Sequence, residues 1–485
     1  MTATARLFEG QMVQYLESDS PPFGAMKQTF FTPDRSQVIQ LYHPELAAQF
    51  TNRLDRLKAI VWKHNLTLPE YAGGATGLTE STARYFKNLF CWPTGIVTEP
   101  RLGILAPAYP SNFYFASGPF HGREKELLWF CRTSLRSKLP ASEKGDWLRY
   151  VQIAILLARA VRRLHQASLI HCDLSSQNIL IDPTIGRCLV LDVDSVVVAD
   201  QFPPDVLGTP RYMAPELIAA SAPRQSSIAG LPNFTTDAHS LAVLIYEILL
   251  WRHPLMGPKI HSTVSSEEDD FLALGPQALF IENPEDRSNR PHDLEPDVSS
   301  LGSSLSTLMY QAFVTGLHQP ELRPTAAQFE DGLLDAWDHL HPCLNGDCHH
   351  RWFIVTPSEK PRCPFCGAWI FRWVPILEFF LEPLSKQLVP TRSLVVYPEL
   401  RLFEWHARSS IRPTEDADRT PPGRFLLVEN QWFLINDGFD SMVSPGGNPV
   451  QPGQAIHLVP GVTFRLNTLP DGWFIRVRSE PIARE

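Results

Sequence analysis

The sequence predicts a two-lobed α+β domain followed by a cysteine ribbon and a small all-β sandwich. Three observations predict it. Strand-like segments crowd residues 1–108, and helical segments dominate from about residue 120 to 340. Two close cysteine pairs, Cys343/Cys348 and Cys363/Cys366, follow the helical half. Short alternating segments between proline- and glycine-rich turns fill the remainder.

At 485 residues the chain has room for about three domains. Its 44% hydrophobic and 20% charged residues exclude disordered and collagen-like classes. The 43 Lys and Arg against 52 Asp and Glu leave a net charge of −9, which argues against nucleic acid as a partner. The longest apolar stretches, 151–158 and 241–251, fall short of the ~20 residues that cross a bilayer. The first residues lack the basic-then-apolar plan of a signal peptide. A cytoplasmic protein without membrane contact is expected.

The elements follow in order. Strands are expected at Met12–Leu16, 25–31 and Gln37–Tyr42, then a helix over 45–63 with Leu46, Phe50, Leu54 and Leu57 on one face. Strands at 91–98 and 102–106 complete a small lobe of about 1–108. Helices at 147–165, 237–251 and 303–317 build a large lobe of about 109–340. The polar, proline-rich stretch 255–300 reads as a loop insertion. Residues 341–373 hold the cysteine ribbon. Residues 374–485 hold the sandwich, with strands at 432–436, 455–459, 463–466 and 473–478.

Three segments of the helical half carry chemistry. In Leu169-Ile170-His171-Cys172-Asp173-Leu174-Ser175-Ser176-Gln177-Asn178-Ile179-Leu180, an Asp precedes an Asn by five residues. Asp173 can orient a hydroxyl nucleophile and Asn178 can hold a divalent ion. In Leu189-Val190-Leu191-Asp192-Val193-Asp194, an apolar strand ends in a carboxylate that can grip a phosphate-bound Mg²⁺. The third is Gly208-Thr209-Pro210-Arg211-Tyr212-Met213-Ala214-Pro215-Glu216.

With these motifs the chain resembles the eukaryotic-type Ser/Thr protein kinase family over most of residues 10–340. Asp173 and Asn178 match the catalytic loop, Asp192 the acid of D-F-G, and Ala214-Pro215-Glu216 the A-P-E motif. Asp237 opens an apolar helix as the family's core helix does, and Arg323 stands where the family pairs an arginine with Glu216. The resemblance implies a protein-kinase-like fold, ATP with Mg²⁺ or Mn²⁺ as cofactors, and protein substrates. Asp173, Asn178 and Asp192 are then catalytic, and Asn178 and Asp192 are the Mg²⁺ ligands.

Several positions depart from the pattern. Cys172 replaces the arginine before the catalytic Asp, Ser175 a lysine that neutralises the γ-phosphate, and Val193-Asp194 the Phe-Gly after the metal acid. The glycine-rich cover shrinks to Phe23-Gly24, and Gln40 occupies the place of the phosphate-gripping lysine. Lys27 on the preceding strand is the available cation, but with Met26 over the adenine, strand alternation turns Lys27 away. The helix acid falls near Asp55, the gatekeeper at Leu105, and the hinge at Ala106–Ala108. An active kinase and a pseudokinase scaffold, which binds nucleotide weakly or not at all, both remain open.

Cys343-x4-Cys348 and Cys363-x2-Cys366, fourteen residues apart, have the spacing of a closed four-thiolate zinc site, which is structural rather than catalytic. His349 and His350 read as bystanders. The segment from Gly423 to Gly461 looks like the second half of a forkhead-associated domain. Its phosphothreonine-reading S-x-x-H element is absent, and Ser441-Met442 replaces the usual Asn-Gly. Together the three modules resemble bacterial kinases of tellurite-resistance clusters. That resemblance implies a von Willebrand factor A protein and a PPM-type phosphatase as partners.

Overall fold

Six antiparallel strands open the chain: β1 (Thr2–Leu7), β2 (Met12–Leu16), β3 (Lys27–Phe31), β4 (Gln37–Tyr42), β5 (Gly95–Glu99) and β6 (Gly103–Pro107). They form one sheet in the order β2-β1-β5-β6-β4-β3. The structure is a computed structural model that describes residues 1–18, 26–47, 50–69, 79–198, 208–221, 231–356, 361–370, 373–381 and 390–478. Phe23 and Gly24 of the expected phosphate cover lie outside the described residues.

β1 precedes the first strand expected from the sequence; Thr2–Leu7 alternates polar with apolar residues, and its Ala5 and Leu7 point inward. One face of the sheet gathers Ala5, Leu7, Tyr15, Ile39, Leu41, Val97 and Leu105. The other face gathers Tyr42, Ile96, Leu102 and Ile104 with Leu57 and Val61. Leu57 lies on helix α1 (Phe50–Lys58), and Val61 on the wider turn that extends it, Ala59–Lys63.

The chain forms two compact units. The first comprises Met1–Gly145, Gln152–His292 and Leu308–Glu330, and the second Asp146–Val151, Asp293–Thr307 and Asp331–Glu485. In the first, helix α3 (Phe234–Leu250) and helix α2 (Trp147–Gln166) from Gln152 onward supply much of the core. A capping box starts α3: Asn233 Oδ1 accepts from the amides of Thr235 and Thr236, and Thr236 Oγ1 accepts from the Asn233 amide at 2.9 Å. Asp237 in its first turn is buried and accepts from the backbone amides of His171 at 2.7 Å and Cys172 at 3.1 Å. The helix thereby fixes the loop that carries Asp173. Strands β7 (Ile179–Asp182) and β8 (Arg187–Val190) form the hairpin after that loop.

The stretch 255–300 is not a bare loop. It contains α4 (Ser266–Leu274), capped by Ser265, and it folds around buried Asn289, whose amide donates to the carbonyls of Leu255 at 3.0 Å and Leu279 at 2.7 Å. Polar composition misleads here because one asparagine satisfies backbone groups that would otherwise need water.

In the second unit, two four-stranded antiparallel sheets share one apolar cluster. The first runs in the order β10-β9-β16-β15, from β9 (Ile376–Phe380), β10 (Arg392–Val395), β15 (Thr463–Arg465) and β16 (Phe474–Val477). The second runs β11-β12-β13-β14, from β11 (Arg401–Leu402), β12 (Gly423–Val428), β13 (Gln431–Asn436) and β14 (Ala455–Leu458). Glu429 and Asn430, at φ 48° and 65°, make the two-residue turn between β12 and β13, which matches strand twist. Trp432, Leu434 and Asn436 point inward from β13.

Asn436 is fully buried and uses its whole amide: Nδ2 donates to Phe439 and Val450 carbonyls, and Oδ1 accepts from Gly438 and Phe439 amides. Asn436→Ala takes their side-chain partner from the Phe439 and Val450 carbonyls and the Phe439 amide, while the Gly438 amide keeps the Pro422 carbonyl, and is expected to cost about 3 kcal/mol, measured by urea denaturation. A loss within experimental error would show that the cluster is dispensable.

Candidate functional site

The site grows from the loop that Asp237 holds. Cys172 takes a left-handed φ of 69°, which turns the chain so that Asp173 projects forward. Asp173 Oδ1 accepts from the amide of Thr209 at 2.7 Å and from its hydroxyl at 2.8 Å. Gly208 permits that approach: its φ is 112°, and a Cβ there would lie 2.8 Å from the Cys172 carbonyl. Asn178 Nδ2 donates to the Asp173 carbonyl at 2.8 Å and to Asp173 Oδ2 at 3.0 Å. With its nitrogen so engaged, the Asn178 oxygen is left to serve a cation.

Asp192 is joined to the same place through the backbone, since the Leu191 amide donates to the Asn178 carbonyl at 2.9 Å. His171 Nε2 donates to the Leu191 carbonyl at 2.9 Å and locks the junction from behind. Asp192 itself is left-handed, φ 53°, and its side chain is 45% exposed, so its carboxylate remains open to the cleft. Asp173, Asn178 and Asp192 are therefore tied into one hydrogen-bonded loop junction. The Asn178 amide oxygen and the Asp192 carboxylate are hard oxygen donors of the kind that suits Mg²⁺.

Lys27 brings a cation to Asp192. Its Nζ donates to Asp192 Oδ1 at 3.0 Å and to both oxygens of Asp194 at 2.8 and 2.9 Å. The expectation that alternation turns Lys27 away is wrong, and the register explains why. Lys27 pairs directly with Tyr42, and Thr29 with Gln40, so all four side chains share one face of the sheet. Gln40 faces the same way but donates to Thr29 Oγ1 at 3.4 Å. Burial opposes charge on Lys27, but Asp192 and Asp194 overcome it and raise its pKa. Burial also opposes charge on Asp194, and Lys27 and Tyr42 hold its pKa below the usual value.

Three further expectations need correction. Asp55 is not the lysine's partner: its side chain is 58% exposed and sits 3.6 Å from Lys58. Leu105 pairs with Ile39 and packs on the opposite face of the sheet from Lys27, so its side chain is no gatekeeper; Ala106, opposite Val38, is on the Lys27 face. The Ala108 amide donates to the Ser36 carbonyl at 3.0 Å and has no hydrogen left for a purine. Ser175 is fully buried and brings no charge to the lysine position it occupies.

Below the sheet, Phe113, Leu180, Leu189 and Leu191 form an apolar floor with Cys91 and Tyr109 against it. Sequence reasoning missed Asp194, legible only as a second acid after Asp192, and Glu126, which bridges to Leu180. Glu216 and Arg323 form a two-pronged pair at 2.7 Å on each prong, and Arg323 also donates to the carbonyls of Gly316, Leu317 and Thr235.

The model of the protein kinase domain matches residues 133–352. The segment is protein-kinase-like. It contains Asp173, Asn178, Asp192, Glu216 and Arg323. The chain is 28% identical over 228 residues to the receptor-like serine/threonine-protein kinase NCRK of Arabidopsis thaliana, covering 42% of this chain and 37% of that protein. It is 27% identical over 125 residues to the DNA damage-responsive serine/threonine-protein kinase RqkA of Deinococcus radiodurans, covering 25% and 17%. The chain thus spans well under half the length of these curated relatives. Among solved structures, a rhoptry kinase from Toxoplasma gondii aligns at a TM-score of 0.40 and 14% identity, over 69% of this chain and 82% of that one.

The four cysteines also converge. Their sulfurs lie within 4.8 Å of one another, with Cys343–Cys366 at 3.6 Å and Cys348–Cys363 at 4.0 Å. A tetrahedral Zn²⁺ with ~2.3 Å bonds separates its sulfurs by about 3.8 Å, so the cluster fits that ion. Among the described residues no helix is long and apolar enough to cross a membrane.

Burial and the neighbouring Glu124 push the Glu126 carboxyl up to about 7. A raised acid costs stability once it must ionise, so this cost is absent below the unfolded value near 4.5 and complete above 7. Glu126→Gln is expected to match the parent below pH 4.5 and to exceed it by ~1–3 kcal/mol above pH 7, read from thermal melts across pH. Equal stability at all pH values would contradict the burial.

Proposed function

We propose that the chain transfers the γ-phosphoryl group of ATP to Ser or Thr hydroxyls of protein substrates in a bacterial signalling system. The observation that carries this reading is the single junction of Asp173, Asn178 and Asp192, with Lys27 reaching Asp192 across the cleft at 3.0 Å. Asp173 orients the substrate hydroxyl and takes up its proton, with Thr209 fixing the carboxylate. Asn178 and Asp192 hold Mg²⁺ or Mn²⁺, which supplies charge neutralisation between the phosphates. Lys27 grips the phosphates from the sheet side in place of Gln40. Ala106 and the floor around Leu180 enclose the adenine. Glu216 and Arg323 brace the substrate-facing segment. Positioning and electrostatics do most of the work in this reaction class, so a relocated lysine suffices if its charge arrives at the same point.

In this reading residues 1–340 are the protein-kinase-like domain, 341–373 a zinc ribbon and 374–485 a forkhead-associated-like β-sandwich. Cys343, Cys348, Cys363 and Cys366 hold a structural Zn²⁺, since four thiolates leave no open position. A von Willebrand factor A protein and a PPM-type phosphatase are the proposed partners.

Purified full-length protein with labelled ATP and Mg²⁺ or Mn²⁺ is expected to label itself or a general protein substrate. Asp173→Asn and Lys27→Met are each expected to lower the rate by about 10²-fold or more, whereas Gln40→Ala stays within about threefold. A wild type that transfers nothing, with transfer appearing only in Gln40→Lys, would establish the pseudokinase scaffold instead.

Metal analysis is expected to find about one zinc per chain, lost in Cys348→Ser together with a lower melting temperature. A metal-free wild type with an unchanged melt would contradict the ribbon.

A further inference from the structure

A lysine that grips phosphates needs a carboxylate that keeps hold of it while the substrate arrives. Helix α1 does not supply one. Its sole acid, Asp55, is exposed beside Lys58. What α1 brings to the cluster is a cation: the Arg53 guanidinium lies 4.7 Å from the centre of the Tyr42 ring.

The carboxylates come from the other side of the cleft. Asp192 and Asp194 flank Val193 at the start of one tight turn, Val193–Ser195. Their environments differ sharply. The Asp192 side chain is 45% exposed and meets Lys27 through one oxygen. The Asp194 side chain is 3% exposed, takes Lys27 on both oxygens, and accepts the Tyr42 hydroxyl at 2.5 Å. One acid is thus available to a metal ion, and the other is committed to the lysine.

We propose that Asp194 is the positioning residue of the nucleotide site, holding Lys27 in place of a helix carboxylate, with Tyr42 fixing its second oxygen. This rests on the phosphotransfer reading above. Its consequence is mechanical. The metal-ligating acid and the lysine's anchor sit on the same turn, so both depend on the placement of residues 192–195.

The test is binding of a fluorescent ADP analogue to the full chain, titrated with and without Mg²⁺. Asp194→Asn is expected to weaken binding at least tenfold in both conditions, because it acts through Lys27 on the phosphates. Asp192→Asn is expected to weaken it chiefly with Mg²⁺ present. Asp55→Ala is expected to stay within twofold in both. In a Lys27→Met background, adding Asp194→Asn is expected to change affinity by less than twofold, which a merely structural role would not produce.

A wild type that binds, with Asp194→Asn within twofold of it or with an undiminished effect in the Lys27→Met background, overturns the anchor and leaves the phosphotransfer reading standing. A wild type that binds no nucleotide at millimolar concentration overturns the phosphotransfer reading and the anchor with it. If Asp194→Asn does not fold, recovery in Lys27→Met/Asp194→Asn supports the pairing, and continued failure overturns it by assigning Asp194 to the fold.

Discussion

The site depends on a buried ammonium group between two carboxylates of unequal exposure. Lys27 leaves water to reach Asp192 and Asp194, and desolvation of that kind is offset only when the remaining contacts are complete. They are complete on the Asp194 side, where both oxygens and the Tyr42 hydroxyl take part. A buried ion pair of this sort is a poor source of net stability compared with an apolar replacement of similar volume. Its presence is better explained by what it positions: a cation at the edge of a carboxylate that still faces the cleft.

The large-lobe side of this arrangement was legible in the sequence because its chemistry is local. Asp173 and Asn178 are five residues apart in one loop, and the segment that ends in Asp192 lies on the hairpin that leaves it. Backbone pairing over so short a span leaves few alternatives. The Glu216–Arg323 pair is distant in sequence, but each partner stands in a recognisable context, and the two meet as the family resemblance implies.

The small-lobe side was not legible because strand parity depends on register. Alternation says that Met26 and Lys27 face opposite ways, but not which one faces the cleft. The direct pairing of Lys27 with Tyr42 decides it, and that pairing is a property of two strands together. The same parity moved Leu105 to the far face and left Ala106 on the near one. Asp194 was read as the loss of a glycine, and its contacts with Lys27 and Tyr42 depend on the sheet register. In the second unit the alternation of Gln431–Asn436 and the cysteine spacing were readable, whereas the role of Asn436 depends on loops that converge only in three dimensions.

The most direct measurement is a crystal structure of the chain with Mg²⁺ and a non-hydrolysable ATP analogue. The account predicts Lys27 Nζ within about 3 Å of an α- or β-phosphate oxygen, still bonded to Asp194, with the metal on Asn178 and Asp192. Phosphates bound elsewhere, or gripped by a different cation while Lys27 stays apart from them, would contradict it.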